Sequence, residues 1–227
     1  AHQLDRQGAA EVNGRASHGF GACYVVYGEK AQREAEASMG SLWRYHPELP
    51  VIAVTDRQIR GPVIHVLREK ADRWGRLAKL NLDGIAPWPR MVYLDADTRV
   101  HGSLAAGWDI LADGWDMALS YSENQGGDLL WHVGAADKAA TLDAHPLPLG
   151  LQAGMMFVSW SDRTRAVWQA WREEWALARD QDQGALIRAL MRVPVRVWLL
   201  GRDWNGGALI EHRFGAARAN PAPGGVK

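Results

Sequence analysis

Met91-Val92-Tyr93-Leu94-Asp95-Ala96-Asp97-Thr98-Arg99 is an apolar run of strand type that ends abruptly in two carboxylates separated by one residue. Alternate side chains of a strand share a face, so Asp95 and Asp97 converge if the chain stays extended. Two carboxylates about 5 Å apart repel by roughly 3 kcal/mol at an effective dielectric near 20. Such a pair persists at neutral pH most easily around a divalent cation, whose shell water and phosphate oxygens then complete. Asp95 and Asp97 are the first candidates for a metal–diphosphate site.

Working outward, strand and helix patterns alternate. Ala22–Tyr27 reads as a buried strand stopped by Gly28, and Glu29–Tyr45 as a helix with apolar or small residues at 31, 35, 39 and 42. Pro47 and Pro50 end it. Val51–Val54 and Val63–Val66 are short strands, and Asp72–Leu82 fits a helix with Leu77, Leu80 and the stem of Arg73 on one face. After the Met91–Leu94 strand come a short helix over Leu104–Leu111 and a strand over Met117–Tyr121. This alternation predicts an α/β fold, a mostly parallel central sheet with helices on both faces. Ligands gather at the carboxyl ends of such strands, so Gly28, Asp56 and the Asp95/Asp97 pair belong on one rim.

Residues 122–151 carry several Gly and Pro with His132 and His145 between them, and read as a functional lid or binding loop. Then follow a strand over Met155–Trp160, helices over Arg163–Leu177 and Gln183–Met191, and a strand-like run over Val195–Leu199. Residues 1–18 read as a mobile extension, 19–218 as one domain and 219–227 as a flexible tail, with no internal repeat.

Bulk properties narrow the function classes. The 227 residues are 47% hydrophobic and 23% charged, the balance of one ordinary globular domain. Lys plus Arg equals Asp plus Glu at 26 each, which gives no footprint for nucleic acid. The lone Cys23 excludes an internal disulfide and a multi-cysteine metal site, and its apolar run suggests a buried structural thiol. That usage fits a cytoplasmic protein. No apolar run reaches the ~20 residues of a membrane span, and the first 17 residues lack a signal-like pattern. Twelve tryptophans are unusual; Trp168, Trp171 and Trp175 recur on one helix face, a spacing that favours core packing over a sugar platform.

The rim residues together resemble the GT-A glycosyltransferases, and within them the glycogenin and lipopolysaccharide galactosyltransferase group, glycosyltransferase family 8. Four segments carry the resemblance over about residues 20–218. Tyr24–Lys30, the helix after it and Val51–Asp56 are similar to the family's opening strand, helix and "T-D" strand. Arg73…Lys79 and Tyr93-Leu94-Asp95-Ala96-Asp97 resemble its basic segment and D-x-D. Gln152-Ala153-Gly154-Met155-Met156 resembles its "N-A/S-G-V-M" strand, with Asp182-Gln183 a helix later. His212-x-x-Gly215-x-x-Arg218 resembles its terminal H-x-x-G-x-x-K. Gln152 and Arg218 replace the family's asparagine and lysine.

The resemblance implies a metal-dependent transfer of a hexose from a nucleoside-diphosphate sugar, UDP foremost, to an acceptor hydroxyl with retention. It implies Asp95, Asp97 and His212 as ligands of a divalent metal, Mn2+ ahead of Mg2+ because carboxylate and imidazole combine. Donor contacts would come from Tyr27, Asp56, Arg73, Lys79, Asp95, Ala96, Asp97, Gln152, Ala153, Gly154, Gly215 and Arg218. Asp182 and Gln183 would face the anomeric carbon as the catalytic pair. The acceptor is an unnamed carbohydrate, lipid-linked or protein hydroxyl. Taken singly these residues have plainer readings: Asp56 as a turn residue, Arg73 on a solvated face, Asp182 or Asp180 as a helix N-cap. Asp-x-Asp-x-Thr after a strand also serves haloacid-dehalogenase-type phosphatases, with Asp95 as nucleophile and Asp97 as acid/base. That reading requires the motif to close the first strand of the domain. A non-catalytic nucleotide-sugar-binding protein is the third reading.

Overall fold

Among the described residues seven strands form the central sheet, in the order β3-β2-β1-β4-β7-β6-β8. They are β1 (Phe20–Val26), β2 (Val51–Thr55), β3 (Val63–Leu67), β4 (Arg90–Leu94), β6 (Met117–Tyr121), β7 (Leu151–Ser159) and β8 (Val197–Leu200). Only β7 runs against its neighbours, β4 and β6. The computed structural model describes residues 19–72, 75–121, 130, 133–145, 150–179 and 181–217. The extension expected at 1–18, the tail at 219–227, Arg73, His132, Asp180, Arg218 and much of the 122–151 loop lie outside these.

Alternation along the strands divides the core between two faces. Ala22, Tyr24, Val92 and Leu94 pack with Ala35, Met39 and Leu42 of α1 (Glu29–Tyr45) and with Trp108 of α3 (Ala105–Ala112). Cys23, Met91 and Tyr93 face the other way, toward Trp168 and Trp171 of α5 (Asp162–Ala178) and Leu186 of α6 (Asp182–Arg192). The tryptophan stripe is therefore core, and burial pushes the Cys23 thiol well above its usual range. At the start of α5 Ser161 and Thr164 form a reciprocal capping box, at 3.2 and 2.9 Å. Among the described residues no helix is long and apolar enough to cross a membrane.

Three expectations need correction. The helix expected over 72–82 shrinks to α2 (Arg76–Lys79), four residues, followed by a 3-10 turn at Leu82–Gly84. Gly75 has φ +72, which breaks the helix, and the Asp72 carboxylate accepts from the Arg76 and Leu77 amides at 3.0 and 2.8 Å, moving the start to Arg76. The long loop contains a helix, α4 (Ala135–Ala144), whose buried residues are Asp137 and Thr141. An apolar period could not reveal it because its inner face is polar. β7 begins at Leu151, so Gln152-Ala153-Gly154 belongs to the strand; the β6–β7 register shifts between Leu119/Met156 and Tyr121/Leu151, a bulge over these residues.

A second sheet was invisible in the sequence. β5 (Thr98–Val100) and β9 (Ile210–His212) pair antiparallel, with Thr98 opposite His212. This pairing carries residue 212 to the end of β4.

Candidate metal and donor site

β4 stops at Leu94, so Asp95 and Asp97 occupy a tight turn and not an extended strand. The Thr98 amide and hydroxyl both donate to the Asp95 carbonyl, at 3.2 and 2.9 Å. Thr98 in turn meets Ser38 at 2.8 Å, and Ser38 meets Tyr24 at 3.1 Å, so a buried chain of hydroxyls pins the turn to α1 and β1. The Asp95 amide donates to the Gly154 carbonyl at 2.8 Å, joining the turn to the bulge of β7.

Asp95, Asp97 and His212 each offer a ligand atom within 4.8 Å of the others. His212 Nε2 lies 3.2 Å from Asp97 Oδ1 and 3.7 Å from Asp95 Oδ2. The imidazole and Asp97 are buried, while the Asp95 side chain keeps 32% of its exposure, so the cluster opens on the Asp95 side. Burial would raise the Asp97 carboxyl, but the hydrogen bond and charge of His212 pull it below its usual range. At Asp95 burial outweighs the pull of Lys79 and His212, and the carboxyl is raised. Tyr93 donates its hydroxyl to Asp95 Oδ1 at 2.6 Å, leaving Oδ2 to face His212.

The segment after β9 closes over Asp97. The Arg213 amide donates to the Asp97 carbonyl at 2.9 Å, and Ala217 N reaches its Oδ2 at 3.5 Å. Gly215, at φ +85, makes the turn between them. Glu34 of α1 grips both Arg99 and Arg213, at 2.5 and 3.0 Å, and holds the segment down.

A cation chain leads away from the cluster. Lys79 Nζ is 3.8 Å from Asp95 Oδ1 and 2.8 Å from Asp182 Oδ2, and Arg76 Nε is 3.4 Å from Asp182 Oδ1. Both cations are buried. Desolvation opposes ionisation of Asp182, yet Lys79 and Arg76 hold its carboxyl down to about 2. Asp182 opens α6 as its first residue; the N-cap is Gln181, which corrects the capping reading of Asp182. Gln183 is buried in the same first turn.

The remaining expected residues divide. Asp56 clips the ends of β1 and β2 together, accepting from the Gly28 amide at 3.2 Å and from Arg57 Nε at 2.9 Å; the Arg57 bond holds its carboxyl below the usual range. Tyr27 follows β1, and a Cβ on Gly75 would stand 2.6 Å from its ring, so it packs at the start of α2. The methyls of Ala96 and Ala153 are packed in the two core clusters, so only their main chains can meet a ligand. Gln152 is half-buried in the bulge. Sequence reasoning missed Arg76, Tyr93 and Asn205. Arg76 sits three residues before Lys79, a helical spacing that puts both on one side. Asn205 carried no local signal.

The residues fit a divalent cation. His212 Nδ1 lies 2.6 Å from Asn205 Oδ1, so a proton on Nδ1 has an acceptor and Nε2, which faces both carboxylates, can give up its own proton to a cation. The two carboxylates need positive charge between them, which either a ring proton or a divalent cation supplies. Gly154 leaves the space: a Cβ there would be 2.5 Å from His212 Cε1 and 3.0 Å from Asp95 Oδ2.

The sheet order, the lone antiparallel strand and the carboxylate turn after β4 give this chain the fold of the GT-A glycosyltransferases. No protein-family model and no curated protein matches the sequence. Among solved structures it is similar to the galactosyltransferase LgtC in complex with donor and acceptor sugar analogues, at 18% identity and TM-score 0.56, covering 80% of this chain and 73% of that one. It is similar to mouse xyloside xylosyltransferase 1, at 12% identity and TM-score 0.55, over 82% and 86% of the two chains. It also matches the bifunctional glycosyltransferase WbbM, at 12% identity and TM-score 0.58, over 82% of this chain and 39% of that one. Three strands precede β4 in the chain, so the Asp95 turn does not close a first strand as the phosphatase reading requires.

Proposed function

We propose that the protein is a metal-dependent glycosyltransferase that moves a hexose from a UDP-sugar to an acceptor hydroxyl with retention of configuration. The observation that carries this reading is the convergence of Asp95, Asp97 and His212 beside the Lys79–Asp182 pair, on the rim of a fold shared with transferases of nucleotide sugars. Asp95, Asp97 and His212 would hold the metal, Mn2+ better than Mg2+ because one ligand is imidazole. Bound there, the cation would neutralise charge on a departing diphosphate.

The chain's own residues do the rest. Asp182, kept ionised by Lys79 and Arg76, is a fixed negative charge at neutral pH and cannot serve as a general acid. It suits stabilisation of positive charge at the anomeric carbon, with Gln183 beside it. Lys79 positions that carboxylate and faces Asp95 as well, so its work is orientation as much as phosphate contact. Gly154 and the main chain of Ala153 and Gln152 would line the sugar pocket. Tyr27 and Asp56 would meet the nucleoside, and Gly215 and Arg218 the diphosphate, with Arg73 a further cation for the donor. The anomeric C–O bond breaks with its electron pair leaving on the diphosphate. The acceptor oxygen bonds on the same face, and its proton passes to the departing diphosphate oxygen.

Thermal shift with a panel of nucleoside-diphosphate sugars, with and without Mn2+, tests the reading, because ligand binding adds to apparent stability. A UDP-hexose should raise the melting temperature most, and only with metal. NMR of the product should show the donor's anomeric configuration. A shift with UDP-hexose but no turnover with any acceptor or water would make the chain a binding protein; no shift at all would sink the proposal.

A further inference from the structure

Asn205 lies just beyond the 3-10 turn at Arg202–Trp204, and its own amide donates back to Arg202 at 3.0 Å. Gly206 follows at φ +105, and the Gly206 and Gly207 amides both donate to the Ile210 carbonyl, at 2.8 and 3.2 Å. The loop thus doubles back so that Asn205 and His212 face each other across its neck. Asn205 is 6% exposed, and its Oδ1 is 2.6 Å from His212 Nδ1. Its Nδ2 is buried with no hydrogen-bond partner among the described residues. Burying an amide NH2 this way costs about 1–3 kcal/mol, so the fold keeps the amide against its own stability. A leucine of similar volume would avoid that cost but would offer His212 no acceptor. Phe214 stacks on the imidazole at 4.0 Å between centroids and 25° between planes, which fixes the ring's plane but not its tautomer.

We infer that Asn205 is a positioning residue for metal binding: its Oδ1 commits the His212 proton to Nδ1 and so presents Nε2 to the cation shared with Asp95 and Asp97. The inference rests on the metal-site reading of the proposed function. Hydrogen-bond partners behind a metal-bound histidine commonly matter 10–100-fold in metal affinity.

The test uses the full chain. Mn2+ affinity is measured by titration calorimetry, and the His212 tautomer by 15N NMR of the metal-free protein. Asn205→Leu should bind Mn2+ roughly 10–100-fold more weakly and lose the single Nδ1–H signature. Asn205→Asp, which keeps the acceptor, should restore affinity to within a few-fold of wild type; a role in packing alone would move neither readout in this order. Wild-type Mn2+ affinity and tautomer in Asn205→Leu would overturn the inference. Should Asn205→Leu fail to fold, the wild-type spectrum decides: Nδ1–H supports the assignment and an unprotonated Nδ1 overturns it. Absence of Mn2+ binding by the wild type would instead overturn the metal reading, with the tautomer still judging Asn205.

Discussion

Arg188 and Lys79 each lie buried between two carboxylates, and the two clusters are finished differently. Arg188 donates to Asp137 at 2.6 Å, Thr141 at 2.7 Å and Glu174 at 2.9 Å, tying α4, α5 and α6 into one unit. Its carboxylates are nearly as enclosed as it is, with Asp137 at 1% and Glu174 at 12% side-chain exposure. Lys79 is just as buried, but one of its partners, Asp95, is 32% exposed and shares its charge with a second carboxylate and an imidazole. The closed cluster satisfies its charges internally and holds helices together. The open one leaves negative charge to be satisfied by something that arrives.

Four substitutions or conditions would break or sharpen that contrast. Arg188→Leu should have the largest effect, about 3–5 kcal/mol of stability by urea unfolding, because buried Asp137 loses its cation and Glu174 keeps only Arg192. The fraction that folds should bind Mn2+ as wild type. Asp97→Asn should act mainly on function: activity falls about 10²–10³-fold, while the metal-free melting temperature falls only slightly, as the charge that His212 favours is lost. A variant that melts much lower would place Asp97 in the closed class.

Acid acts on the open cluster by a smaller amount. Asp182 has a folded value of about 2 against an ordinary 3.8, so its ion pairs contribute fully above about pH 4 and are lost as pH falls toward 2. That is roughly 2 kcal/mol of stability, and Lys79→Met should flatten this part of a stability–pH curve. The mildest change is Gly154→Ala. Its methyl would stand 2.5 Å from His212 Cε1, so the ring must shift: Mn2+ affinity should drop about tenfold, near 1.4 kcal/mol, with a loss of stability of similar size.

The same contrast explains what the sequence could and could not disclose. α1 was legible to the residue because Ala31, Ala35, Met39 and Leu42 bury one apolar face. α4 was not, since its buried face is Asp137 and Thr141, whose partner Arg188 lies 51 and 47 residues away. Asp95, Asp97 and His212 could be named from the residues and the family resemblance, and the structure brings them together. Their convergence depends on β5 and β9, three-residue strands too short to show any period. Arg73 was named from the resemblance and lies outside the described residues, whereas Arg76 enters only once Gly75 and the Asp72 carboxylate set the start of α2. Asn205 means nothing until the loop folds back on His212.

The closing segment separates the sheet from the site. Every described strand of the large sheet ends by Leu200, whereas His212 and the 213–217 turn come later in the chain. All the strands of that sheet and the carboxylate pair thus lie in one continuous stretch of chain, and the imidazole that faces the pair is delivered from outside it. Changes in the 201–217 segment can therefore retune the cluster without touching a strand of the large sheet.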